Sequence, residues 1–258
     1  MNKEKIKNFL KETRFCDFNH SEIAKIADDF KSKYKNNKQL AIALFYFVRD
    51  NTKYNVGDWT KTASETLSTG VGTCTNNANL LVALLRKAEI PAGYGIMKVY
   101  GREYFGVIVP KKLKVNISKI STHVYCYVYI NNKWLKCDPS DDEPLSIGTQ
   151  HLNPQSELVN WDGESHAMLN LHKDHIIQDR GPVDNIDRLI SKKMKFYKKL
   201  PVKIANLYID FLREGAKNIN NVDLLEKNFY RWLKKKNYFF YFLYKYLFFW
   251  HNLNIFTK

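Results

Sequence analysis

The chain has 258 residues, an apolar fraction of 45% and a formal net charge of +15. This length accommodates one substantial domain with or without an appendage, and the apolar fraction excludes a chain that is disordered throughout. No uninterrupted apolar run is long enough to span a membrane, and the charged start MNKEKIKNFLKETRF lacks the apolar stretch of a signal peptide, so we expect a cytoplasmic protein.

Helices are predicted first along the chain. Ser21 is followed by EIAKIADDFKSKY, whose apolar residues recur at helical spacing, and NKQLAIALFYFVRDN continues as a second, mostly buried helix. A short helix at TASETL precedes a glycine-rich turn. A longer helix then begins at Cys74, with Thr73 as a plausible N-cap, and runs to about Ala88 before Pro91.

The pattern changes to that of strands after the proline. AGYGIMKVYG, THVYCYVYI and KWLKCDP are predicted strands, whereas KKLKVNISKI is predicted to be a loop or an edge strand. Asn131 and Asn132 suit a two-residue hairpin loop because asparagine tolerates a positive φ. Helices followed by an antiparallel sheet indicate an α+β fold.

Helical patterns return from Ser191 onward. We therefore predict a core domain over residues 1–190 and a basic, aromatic-rich helical extension over 191–258, where 15 Lys/Arg stand against 4 Asp/Glu. This charge suits an acidic partner such as anionic lipid or nucleic acid, or a solvated lysine-rich surface. We favour the solvated surface, and no specific nucleic-acid partner is predicted.

The end of the extension is unusually aromatic. Between Tyr238 and Trp250, ten of thirteen residues are aromatic. The stretch from 234 to 256 is too short and interrupted to span a bilayer but suits contact with a membrane surface. The alternative, which we favour, is that it packs on its own domain or mediates self-association, because most apolar surface in a soluble chain is used internally.

The hairpin loop fixes the register of its two strands. Cys126 then lies opposite Cys137, and Tyr125 lies opposite Asp138. His123 and Asp138 become diagonal neighbours on one face, about 7–8 Å apart at the backbone and close enough for their side chains to meet. A carboxylate beside an imidazole fixes its tautomer and favours its protonated form.

Cys74 lies behind two glycines in GVGTC and at the first turn of its helix. The unsatisfied N–H groups and the positive end of the helix dipole both stabilise a thiolate, the form that a cysteine nucleophile needs. Gly72 is a candidate substrate-binding residue, since a glycine lets a substrate approach the backbone. The alternative for Cys74 is a cysteine packed under a helix.

The four cysteines give no sign of a metal site. Cys16, Cys74, Cys126 and Cys137 form no CxxC pair, and none has a histidine at zinc-finger spacing. No calcium-loop pattern is visible either. We predict no metal, no cofactor and no disulfide framework.

Three stretches resemble the transglutaminase-like superfamily over roughly residues 38–142. They are AIALFYFVRDNTKYN, TASETLSTGVGTCTNNANLLVALLRKAEIPAGYG and THVYCYVYINNKWLKCDPS. The resemblance implies a papain-like arrangement, with a cysteine on a central helix packed against an antiparallel sheet, and a catalytic triad of Cys74, His123 and Asp138. The segment beginning WDGESHAMLN is also similar to the C-terminal part of small bacterial members.

The resemblance departs from the family at one position. Many members carry H-x-W or H-A-W at the strand histidine, whereas this chain has Tyr125 two residues after His123. Tyr125 is therefore a candidate replacement for that aromatic residue. Trp59 is a candidate for the acyl pocket or the oxyanion site, or a core tryptophan.

Together these features predict a cysteine-dependent acyl-transfer enzyme acting on an amide of a peptide or protein. The candidate amides are a peptide bond, an isopeptide bond, a glutamine side chain and a glycosylated asparagine. The acyl group passes to water or, in a transglutaminase, to an amine; we expect hydrolysis because water needs no second binding site. The alternatives are a non-catalytic binding module on this fold, or a function located in the extension.

Overall fold

The computed structural model describes residues 3–153, 156–170, 172–193 and 199–253. The first third of the chain is mainly helical and contains two short parallel strands. Its elements are α1 (Lys3–Lys7), α2 (Ser21–Lys33), α3 (Asn37–Asn51), β1 (Lys53–Tyr54), α4 (Ala63–Thr69), β2 (Val71–Gly72) and α5 (Cys74–Lys87). The predicted helices are confirmed, although His20 rather than Ser21 caps α2.

Helix α5 is the central element of the domain. It packs against α2, α3 and α4 on one side and against the sheet on the other, and its residues from Cys74 to Arg86 are buried. Thr73 caps its start: the Thr73 hydroxyl accepts from the Asn76 N–H, and the Asn76 side chain accepts from the Thr73 N–H. This reciprocal cap fixes where the helix begins, and therefore where Cys74 lies.

The main sheet has four strands in the order β5-β4-β3-β6, and all neighbours are antiparallel. They are β3 (Ala92–Tyr100), β4 (Ile120–Ile130), β5 (Lys133–Cys137) and β6 (Ile176–Val183). The predicted α+β fold, with the Cys74-bearing helix on an antiparallel sheet, is confirmed.

The hairpin between β4 and β5 follows the sequence expectation. Cys126 pairs with Cys137, and both loop residues have positive φ, 52° at Asn131 and 62° at Asn132. The expected Tyr125–Asp138 pair is not formed: β5 ends at Cys137, and the Asp138 N–H donates to the Ala167 carbonyl instead. The turn chemistry therefore set the register, while a later loop ended the strand.

The segment between β3 and β4 is largely a loop, one of the two structures predicted for it. KKLKVNISKI begins with a short helix that was not predicted, α7 (Lys111–Lys114), and continues as a loop until β4 starts. Pro110 precedes α7, and its carbonyl accepts from the N–H groups of Leu113 and Lys114. Another short helix, α6 (Gly101–Tyr104), directly follows β3.

After β6 the described chain is helical, in line with the helices predicted from Ser191 onward. These helices are α9 (Asp187–Lys193), α10 (Lys199–Gly215), α11 (Val222–Lys236) and α12 (Tyr238–Leu253), and a further short helix that was not predicted, α8 (Glu143–Thr149), lies between β5 and β6. Helix α10 packs on α8, and α11 and α12 pack in turn behind it. Their apolar side chains form a second core that also includes Ile108, Leu113 and Leu145. The extension thus shares a core with parts of the chain before residue 190, and the boundary at that residue stays a prediction.

Helix α12 has two different aromatic faces. Tyr244 is fully buried and packs on Phe229 and Tyr230. The opposite face exposes Tyr238, Phe239, Phe242 and Tyr246, each by 45% or more. Residues 254–256 of the predicted membrane-contacting stretch lie outside the described residues. Within the described residues, no helix has the length and apolarity required to cross a membrane.

Candidate active site

The first residue of α5 contributes the candidate nucleophile. Cys74 is 8% exposed, and this exposed part faces a cavity. The other three cysteines are fully buried, and no disulfide forms among the four. Cys74 therefore combines access to the cavity with the thiolate-stabilising end of a helix dipole.

The predicted histidine–aspartate pair is formed. His123 Nε2 lies 2.6 Å from Asp138 Oδ2, and neither side chain is more than 2% exposed. The second carboxylate oxygen, Oδ1, accepts hydrogen bonds from the backbone N–H and the hydroxyl of Ser140. Both oxygens of Asp138 are engaged, so the imidazole is held against a fixed carboxylate.

Cys74 lies on the other side of the imidazole. Burial lowers the pKa of His123, but the charges of Asp138 and Cys74 and the hydrogen bonds of both outweigh it and hold the pKa well above its usual value. Among the described residues, no hydrogen bond of ordinary geometry reaches the second ring nitrogen, Nδ1, so this nitrogen is left available for a proton from the thiol. Catalytic hydrogen bonds of this kind commonly tighten when a substrate binds.

Asn77 connects the helix to the aspartate loop. Its side-chain amide donates to the carbonyls of Pro139 and Ser140, at 3.4 and 3.2 Å. Gly72 leaves room for this contact, since a Cβ there would lie 2.2 Å from the side-chain oxygen Oδ1 of Asn77. The spacing between Cys74 and Asp138 is therefore set by a buried amide as well as by the sheet.

A cavity of about 900 Å³ opens beside Cys74 and His123. One wall comes from the segment between β3 and β4, and the opposite wall comes from α10, so the extension takes part in the site. The described apolar residues of these two walls include Tyr104, Ile108, Ala205, Tyr208, Ile209 and Leu212. A substrate of this site is expected to bring apolar groups with it.

The three candidate substrate-binding residues lie in different places. Trp59 lines the cavity, as expected for an acyl-pocket residue. Gly72 and Tyr125 are not among the described residues that line it. The missing side chain of Gly72 makes room for Asn77 rather than for a substrate, and buried Tyr125 donates its hydroxyl to Asp179 at 2.6 Å. Tyr125 nevertheless stacks beside His123, with ring centroids 6.3 Å apart.

A group of charged residues that follows Asp138 was not predicted from the sequence. Asp142 is buried and pairs with Arg213 of α10 at 2.6 Å, while its Oδ2 also accepts from the Tyr54 N–H at 2.8 Å. Asp141 lines the cavity, and burial, followed by the charges of Asp138 and Asp142, raises its pKa to about 7. The only sequence signal was the run of acidic residues in DPSDDEP, which by itself is typical of a solvated loop.

Comparison with known proteins identifies one family model. Residues 24–139 match the family model of the transglutaminase-like superfamily. No curated protein matches the chain.

Three solved structures are similar in fold over about half of the chain. A candidate cysteine protease from Cytophaga hutchinsonii is 24% identical, with a TM-score of 0.42, over 56% of this chain and 45% of its own. The periplasmic domain of TgpA from Pseudomonas aeruginosa, bound to ethylmercury, is 18% identical, with a TM-score of 0.38, over 54% and 49%. A candidate protease from Parabacteroides distasonis is 15% identical, with a TM-score of 0.35, over 53% and 26%.

The chain therefore spans less than half the length of each of these structures. The match to the family model covers the helix that begins at Cys74, the β4–β5 hairpin and Asp138. Residues 24–139, somewhat less than half of the chain, thus match the transglutaminase-like superfamily.

Proposed function

We propose that the protein is a cysteine-dependent acyl-transfer enzyme that attacks an amide and passes the acyl group to water. The observation that carries this proposal is the proximity of Cys74, His123 and Asp138: Asp138 lies 2.6 Å from one ring nitrogen of His123, and Cys74 is close enough to help raise the pKa of the same imidazole. A merely packed cysteine would need neither a buried carboxylate–imidazole pair nor an opening to a cavity.

In the first half of the reaction, His123 Nδ1 takes the thiol proton and the Cys74 sulfur attacks the amide carbonyl. The C=O electron pair moves to the oxygen, where the Cys74 backbone N–H stabilises the charge. When the C–N bond breaks, the leaving amine takes the proton from the imidazolium, and a thioester remains on Cys74. Asp138 stabilises the imidazolium and holds the ring in place.

In the second half, water attacks the thioester and gives its proton to His123. The C–S bond then breaks, a carboxylic acid leaves and the thiol is restored. An amine in place of water would give a new amide and make the protein a transglutaminase. We favour water because no second binding site is needed. A non-catalytic binding module on the same fold is the alternative, and it predicts an ordinary thiol at Cys74.

The pH dependence of thiol alkylation separates the enzyme from the binding module. Because the carboxylate of Asp138 raises the pKa of His123, the imidazolium persists to higher pH and stabilises the thiolate beside it. We expect the rate of Cys74 alkylation by iodoacetamide to rise with pH, with a midpoint at least one pH unit below about 8.5, the usual pKa of a free cysteine. Peptide mass spectrometry of the alkylated protein gives the rate at each pH.

The matched variant is His123→Ala. Without the imidazolium, the midpoint is expected to rise to the ordinary thiol value or above it, because burial disfavours the thiolate. Asp138→Asn should give an intermediate profile, since the ring stays but loses its charge partner. A wild-type midpoint equal to that of His123→Ala would support the binding module instead.

We propose further that the exposed face of α12 contacts an anionic membrane surface. The four aromatic side chains of this face lie close to Lys234, Lys235, Lys236 and Lys245 in sequence. Aromatic rings at headgroup depth and lysines at anionic lipid are a typical interfacial combination. The buried face around Tyr244 shows that part of the helix is also used internally.

Co-sedimentation with vesicles rich in phosphatidylserine tests this contact. The wild-type protein is expected in the pellet and the double variant Phe239→Ser/Phe242→Ser in the supernatant. Leu224→Ser, which changes an exposed leucine of α11, is the control and should pellet like the wild type. Wild-type protein that stays in the supernatant at low salt would refute the membrane contact.

A further inference from the structure

We propose that Asp141 and Tyr104 form a binding site for a positively charged group of the substrate, an ammonium or a guanidinium, next to Cys74. This inference rests on the proposed function and names the substrate class that the site selects. The cation belongs to the substrate's side chain or terminus and does not itself take part in the acyl transfer.

The cavity lacks the excess of basic side chains that the rest of the protein carries, and the charge of the imidazole that lines it, His123, is paired with Asp138. The chain contains 41 Lys/Arg and carries a net charge of +15. Yet no lysine or arginine is among the described residues that line the cavity, and Asp141 is the one carboxylate there. A cavity of this kind attracts cations and disfavours anions.

The nearby charged groups already have partners. Asp138 is bound to His123 and Ser140, and Asp142 is bound to Arg213. Among the described residues, no hydrogen bond or ion pair reaches the side chain of Asp141, although it lies close enough to its charged neighbours for them to shift its pKa. The half-buried carboxylate is therefore left to an incoming group, and a cation would restore its charged form.

Tyr104 provides an independent observation on the same cavity. It is only 6% exposed, lines the cavity, and its hydroxyl has no hydrogen-bond partner among the described residues. Burying a hydroxyl without a partner is costly, so such a group commonly marks a ligand position. Its ring lies 5.8 Å from the ring of His123, and burial, followed by the charges of Asp138 and Asp141, raises the pKa of its hydroxyl.

These two side chains suit one chemical class. A cation can pair with the carboxylate, donate to the tyrosine hydroxyl and lie against the aromatic ring. The apolar walls contributed by α10 and by the segment before β4 would hold an uncharged part of the same substrate. We therefore infer a peptide substrate with a lysine, an arginine or a free N-terminus close to the scissile amide and an apolar group nearby.

The test uses two small compounds of the same shape, butylguanidinium and butylurea, as protectants of Cys74. Guanidinium is not a nucleophile at neutral pH, so it does not act as an acyl acceptor. The measurement is the rate of Cys74 alkylation by iodoacetamide in the full chain, with and without each compound. Butylguanidinium is expected to protect the wild-type thiol at a concentration about tenfold lower than butylurea, as befits a charged hydrogen bond.

Asp141→Asn is expected to abolish this difference, and Tyr104→Phe to reduce it. Asp179→Asn is the control, because Asp179 is a carboxylate that binds Tyr125 and Lys136 and is not among the described cavity residues. For each variant, the alkylation rate with protectant is divided by the rate without it. A change in the intrinsic reactivity of the thiol therefore cancels from the ratio. Equal protection by the two compounds in the wild type, or a difference that survives in Asp141→Asn, would overturn the proposal.

Failure of this proposal differs from failure of the proposed function. An ordinary alkylation rate without protectant would argue against catalysis, whereas the ratio between the two protectants reports only on cation binding. The origin of the cation is resolved with peptide substrates. Internal lysine, internal arginine and a free N-terminus, each beside the same amide, are compared with their neutral norleucine, citrulline and acetylated counterparts. Cleavage that is insensitive to all three charges would also contradict the assignment.

Discussion

Replacing Cys74 with alanine is expected to reduce turnover of any amide substrate by at least about 10⁴-fold, because the nucleophile is removed. Cys74→Ser should be similarly inactive, since a hydroxyl is far harder to deprotonate than a thiol at neutral pH. The chain should still fold, because the side chain is small and lies at the edge of a cavity. The measurement is kcat/KM, together with the thermal midpoint of each variant.

Two comparisons make this result specific. Cys16→Ala changes a fully buried cysteine that is not among the described residues lining the cavity. This variant should leave kcat/KM unchanged per folded molecule. Asp138→Asn should cost less than Cys74→Ala, because it disturbs the charge and orientation of His123 but leaves the nucleophile in place. Wild-type turnover by Cys74→Ala would remove the basis of the enzyme proposal.

The sequence was most informative where local chemistry fixes geometry. The two asparagines of the hairpin loop set the register, and extending that register one residue beyond the end of β5 predicts His123 and Asp138 as neighbours. In the structure, His123 Nε2 lies 2.6 Å from Asp138 Oδ2. Thr73 and the glycine-rich turn likewise fixed the start of α5 at Cys74. These features involve contacts over a few residues, so they are visible in the sequence.

Strand β6 could not be predicted in this way. Its sequence, IIQDRGPV, is mostly exposed, contains a proline and pairs only with β3, through an irregular register. Edge strands of this kind lack the alternation that identifies a half-buried strand. The short helix α7 was missed because four residues are too few to show a helical period.

The cavity was also beyond the reach of sequence patterns. Its two walls come from segments about 90 residues apart, the stretch around Tyr104 to Leu113 and helix α10 around Ala205. Only the packed structure shows that Asp141 lies between them and that its neighbouring carboxylates are paired. A run of acidic residues in a loop carries none of this information.

The interaction between the extension and the site depends on one arginine. Arg213 of α10 donates to both carboxylate oxygens of Asp142 and to the Tyr54 carbonyl, and its side chain is only 9% exposed. Asp142 in turn caps α8 through the Leu145 N–H and accepts from the Tyr54 N–H. Through these bonds, α10 is held against the loop that carries Asp138 and Asp141.

Arg213→Met is therefore expected to destabilise the protein by about 3–5 kcal/mol, because it leaves the Asp142 carboxylate buried without its partner. Urea unfolding followed by tryptophan fluorescence measures the loss. Arg213→Lys keeps the charge but not the planar guanidinium that reaches two acceptors. This variant should therefore recover only part of the stability that Arg213→Met loses. The displaced cavity wall should also weaken the protection of Cys74 against alkylation by butylguanidinium.

The matched control is Lys236→Met. Lys236 pairs with Glu214 at the surface, where both side chains are about half exposed, and such a pair contributes about 1 kcal/mol or less. Removing its charge should leave the urea midpoint nearly unchanged, while Arg213→Met shifts it strongly. If the two variants unfold alike, the buried pair does not hold α10 in place. The extension would then be an appendage to the site rather than one of its walls.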